Sequence, residues 1–62
     1  MSNSIIALEQ RFNNCKTKEN YLQLICDCSD RIKSEASIAN RMAAYTIILR
    51  CVKACKKIDL SW

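Results

Sequence analysis

Not one of the 62 residues is glycine or proline. Tight hairpins and compact β folds draw on those two residues to turn the chain. Their absence predicts an all-α protein whose breaks are built from Asn, Ser, Asp and Lys. Half of the residues are apolar, too many for a chain left unfolded by its composition. No run approaches the ~20 apolar residues of a membrane span. The N-terminus lacks the basic-then-apolar order of a signal peptide. The expectation is a soluble, cytoplasmic, single domain over residues 1–62.

Apolar spacing places three helices, at about 4–13, 18–33 and 37–57. In the first, Ile5, Leu8 and Phe12 share a face. Asn13 and Asn14 form the first break, because Asn tolerates the left-handed conformation in which helices often end. Thr17 then offers an N-cap hydroxyl, and Glu19 suits the first turn of the second helix. That helix is amphipathic on one side only. Tyr21, Leu24, Ile25, Cys28 and Ile32 form its stripe, with Leu22 and Cys26 on a flank and Glu19, Gln23, Asp27 and Asp30 outward. Ser34 to Ser37 read as the second break.

The last helix is different. Read at about 100° per residue, it carries two apolar rows. Ile38, Met42, Tyr45, Leu49 and Val52 recur at steps of four, three, four and three. Ala44, Ile47, Ile48, Cys51, Ala54, Cys55 and Ile58 form a second row about a third of a turn or more away. An ordinary surface helix needs an apolar arc of ~100° or a little more. Two rows mean burial on two sides. Small domains also need a staple, whether disulfides, a metal or oligomerisation. The expected architecture is a small helical hairpin or three-helix unit assembled as a homodimeric helical bundle, the last helix at its centre. Its dimer or partner interface is expected at Met42, Tyr45, Ile48, Leu49, Val52 and Trp62. Leu49→Ala is expected to cost about 2–5 kcal/mol, as a buried Leu truncation does, and to unfold the protein or split the pair.

The net charge is +4, and its placement matters more than its size. Charges over residues 1–40 cancel. The excess lies in Arg41, Arg50, Lys53, Lys56 and Lys57, opposed only by Asp59. Cations near a helix C-terminus complement its dipole. Arg50, Lys53 and Lys57 form a cationic row with Lys56 nearby, a candidate set of phosphate contacts for a nucleic acid. The pI of about 8.9 falls short of a strongly basic binding domain.

The five cysteines admit three readings. They serve as small buried hydrophobes, with Cys28, Cys51 and Cys55 on apolar rows. They pair as disulfides, against which stand the odd count and the absence of a signal peptide. Or Cys51 and Cys55 join Cys26 or Cys28 around a metal, although only one pair has ligand spacing and there is no histidine. The lack of histidine also removes the commonest general base, and without glycine there is no phosphate loop. No catalytic, cofactor or metal residue is assigned. The expected function is a non-catalytic protein–protein interaction module, of the adaptor, antirepressor or inhibitor kind found among small phage proteins. Nucleic-acid binding by the basic helix is the alternative, and a thiol or metal-binding protein the second.

Overall fold

A computed structural model describes residues 3–60. It contains three helices: α1 Asn3–Asn14, α2 Lys18–Ser34 and α3 Ile38–Leu60. The molecule is all-α and elongated, 40 × 16 × 14 Å. α2 and α3 form an antiparallel hairpin with the largest shared contact, and α1 packs against both. No helix among the described residues is long and apolar enough to cross a membrane.

The breaks are made by side chains reaching back to the backbone. Thr17 Oγ1 accepts the Asn20 N–H at 3.2 Å, and Asn20 Oδ1 accepts the Thr17 N–H at 3.4 Å. This reciprocal capping box satisfies two of the orphan donors at the start of α2. Ser37 Oγ accepts the Asn40 N–H at 3.4 Å and caps α3. Glu35 closes α2 from outside and accepts the Ser37 N–H at 3.2 Å. The first break differs from expectation. No described residue has positive φ. The Cys15 N–H instead reaches back three residues to the Phe12 carbonyl at 3.1 Å, tightening the turn without a left-handed Asn. α3 also runs three residues past its expected end. Nothing in the sequence stops it there, and Lys18 holds Asp59 through two hydrogen bonds of 2.9 and 3.2 Å.

The core is formed by Ile5 and Leu8 from α1, Leu24 and Cys28 from α2, and Ala44, Ile47 and Cys51 from α3. All are buried, and among the described residues no polar side chain is buried with them. α1 is fastened at its rim. Arg11 pairs with Asp27 of α2. The Phe12 ring meets Tyr21 edge-on at 5.7 Å between centroids, and the Arg50 guanidinium of α3 sits over the same ring at 4.3 Å. The Arg50–Phe12–Tyr21 stack therefore links all three helices.

Candidate functional site

The two apolar rows of α3 have separate fates. The row Ala44, Ile47, Cys51 and Cys55 is buried against α1 and α2. The other row, Ile38, Met42, Tyr45, Leu49 and Val52, lies between 44% and 71% exposed. Of the expected interface residues, Met42, Tyr45, Leu49 and Val52 stand on this open row. Ile48 is half-buried beside the core, because at about 100° per residue it falls between the two rows. Trp62 lies outside the described residues.

Why the row stays open follows from where α1 docks. A two-helix hairpin has two broad sides. On α3, Arg50 and the exposed row lie on opposite flanks of the buried row. On α2, Asp27 and Leu22 are divided in the same way by Leu24 and Cys28. α1 contacts Asp27, Tyr21 and Arg50, so it covers one side of the hairpin. Nothing among the described residues covers the other side. Its α2 half adds Leu22, which is exposed, and Ile25, which is half-buried. The Lys18–Asp59 pair fixes the register at one end. A shallow depression bounded by Ser29, Ile32, Lys33, Tyr45 and Ile48 fixes it further along. That register sets Ile25 level with Val52, making one continuous apolar face.

At ordinary residue areas the exposed α3 row alone amounts to roughly 600 Å², at the upper end of the largest apolar patch on a typical monomer. Leu49 is 63% exposed. Truncating it in a single chain therefore costs no more than a typical surface change of about 0.5 kcal/mol. The loss of about 2–5 kcal/mol expected from burial within the fold is corrected on that ground.

The cationic residues divide. Arg50, Lys53 and Lys57 line one depression with Phe12 and Ala54. Lys56 lies on the opposite flank, continuing the exposed apolar row by one more step of four. None of the four forms an ion pair among the described residues, because Asp59 is held by Lys18. Arg50 is partly committed already, through its stack on Phe12.

The cysteines also divide. All five are free thiols. Cys28, Cys51 and Cys55 are buried, Cys15 is half-buried, and Cys26 faces water. Burial pushes the Cys51 thiol up to about 11, with Cys28, Cys15 and Cys55 close enough to add to the effect. Burial likewise raises Cys15 and Cys28. Raised thiols are poor nucleophiles. Among the described residues no group of three or more potential ligands is arranged to hold a metal ion. Four thiols thus converge as core packing. The sequence pattern identified three of them as apolar but gave no sign that Cys15 would join them. Compared with protein-family models, curated proteins and solved structures, the chain gives no match.

Proposed function

We propose that this chain is a non-catalytic protein–protein interaction module, of the adaptor, antirepressor or inhibitor type. Its working surface is the open apolar side of the α2–α3 hairpin. The observation that carries this reading is the row of five large apolar side chains left in water on α3 while the core beneath is complete. The uncovered face has the shape and length of a helix, so the natural occupant is another helix laid along it. Tyr45 and Met42 belong to the types enriched at interface centres.

Leu49→Asp tests it. The side chain is outside the core, so the variant stays helical by circular dichroism, with a thermal midpoint near that of the native chain at dilutions where the native chain is unassociated. A charge at the centre of a covered apolar face abolishes association, read as mass by sedimentation and as co-purification from the host. A variant that unfolds, or that associates as well as the native protein, overturns the reading.

A second reading rests on a separate observation. Arg50, Lys53 and Lys57 surround one depression and have no carboxylate partner among the described residues. Such an edge suits a phosphate backbone, held weakly and without sequence preference. Three phosphate contacts predict a log–log salt slope near −2.7 on duplex DNA, at about −0.9 per contact. The triple change to Gln at these positions removes that slope. Binding whose salt slope survives the change sinks this reading.

A further inference from the structure

We infer that the helix occupying the open face is α3 of a second copy of this chain, packed antiparallel about a two-fold axis near Tyr45 and Leu49. This rests on the interaction-module reading and names its partner. The first observation is spacing. Ile38, Met42, Tyr45, Leu49, Val52 and Lys56 follow steps of four and three without a break. That is the 3.5-residue repeat of a two-helix seam, in which alternate positions act as knobs for a facing helix. The buried row of the same helix, Ala44, Ile47, Cys51, Ala54 and Ile58, repeats the same spacing and is used against α1 and α2, so α3 carries a second seam that nothing among the described residues uses.

The second observation is charge. Arg50, Lys53, Lys56 and Lys57 crowd the C-terminal half of α3, and none forms an ion pair among the described residues. Parallel pairing would set Lys56 against its own copy inside the seam and bring both cationic halves together. Antiparallel pairing separates them. Each cationic end then meets the other copy's N-terminal end, where Glu35 lies. The rims agree. Lys53 comes nearest Ala39 of the second copy along its rim, while Arg41 lies on the other rim. Ile48 meets the second copy's Ile48 near the axis. Along the seam Tyr45 faces Leu49 and Met42 faces Val52, each contact made twice, as a two-fold interface requires.

The third observation is area. The exposed row offers roughly 600 Å² per copy, and Leu22 and Ile25 lie at its margin, against the ~800 Å² each partner gives to a standard interface. A hairpin laid on a hairpin would build a four-helix core, with α1 on the outside of each half.

Disulfide trapping tests the arrangement in the full-length chain. Cys26→Ser removes the thiol that faces water. Met42→Cys and Val52→Cys are then made separately in that background. Both sites are exposed, so both variants fold, which circular dichroism checks. The single variants and their equimolar mixture are oxidised with copper phenanthroline and resolved without reductant. A disulfide needs the two Cα atoms within about 4.4–6.8 Å, so covalent dimer is expected at least about tenfold more abundant in the mixture than with either variant alone. Mass spectrometry then finds position 42 joined to position 52. Ready cross-linking of Val52→Cys by itself would establish parallel pairing and overturn the inference, while leaving the face as an association surface. No cross-link in any sample, with a monomeric mass at high micromolar concentration, would remove the second copy as occupant. The Leu49→Asp comparison with host partners then decides the interaction reading independently.

Discussion

Leu24→Ala unfolds this protein at room temperature. Leu24 is fully buried at the centre of α2, against Ile5 and Leu8 on one side and Ala44, Ile47 and Cys51 on the other. Truncation removes the apolar contacts and leaves a cavity that the surrounding side chains fill only in part, at a cost of about 2–5 kcal/mol. A single core in a chain of this size rarely supplies more than about 3–5 kcal/mol. The core here has seven side chains, of which Ala44, Cys28 and Cys51 are small. Around it lie only partly buried side chains such as Phe12, Ile25, Ile32 and Ile48. Far-ultraviolet circular dichroism at increasing protein concentration checks the expectation. If association through the α3 face contributes stability, helicity returns as concentration rises, since binding to the folded state shifts the equilibrium by mass action. Leu24→Ala that remains fully helical when dilute, with a native thermal midpoint, would mean that the core described here is not what holds the helices together.

The contrast between Leu24 and Leu49 shows what the sequence made legible. Both are leucines on apolar rows of long helices, and periodicity places both facing inward. The pattern could establish that α3 has two rows and α2 only one. The interface was expected on the row of Met42, Tyr45, Leu49 and Val52, which is the exposed one, but periodicity alone supplies no physical reason for the chain to cover the other. That choice is made by α1. Phe12 stacks beneath Arg50 and Arg11 reaches Asp27, and both contacts join residues far apart in sequence. Helix ends were legible where the signal was a local hydroxyl, as at Thr17 and Ser37. They were less so where a distant residue decided the matter: Asp59 reads as the start of a tail until Lys18 is seen to hold it in helix. The row of Arg50, Lys53 and Lys57, with Lys56 off to one side, follows from helical spacing, but the packing of Phe12 under Arg50 depends on which flank α1 occupies. The heptad spacing of the exposed row was on the page from the beginning. It acquired meaning only when the row proved to be the uncovered one.

Stability also collapses between about pH 9 and pH 11, and the cause is the thiol cluster rather than the lysines. In the unfolded chain a cysteine titrates near 9.0, whereas Cys51 in the fold is held at about 11 by burial and by the neighbouring thiols. Cys28 and Cys15 are raised in the same direction, again mainly by burial. A folded-state value above the unfolded one means that the folded protein keeps protons the unfolded chain has released. Stability is then complete below the unfolded value and drains away as pH climbs toward the folded one. Lys18 acts with the same sign at higher pH, raised by its hydrogen bond to Asp59. At the acid end the sign reverses. The Arg11 guanidinium, bonded to Asp27, holds that carboxyl below its ordinary 3.8, so the fastening of α1 persists above that value and is lost as pH falls past it. The expected profile of thermal midpoint against pH, measured under reductant, is a plateau from about pH 5 to 8 with a steep alkaline fall. Cys51→Val is the decisive variant, because it removes the most strongly raised thiol while keeping an apolar side chain of similar volume. Its alkaline fall is shallower than that of the native chain. It is not abolished, because Cys15 and Cys28 still resist ionisation in the fold. An unchanged fall in Cys51→Val would assign the alkaline limit to Lys18 and Asp59, and the double change of those two residues would then be the one to flatten it.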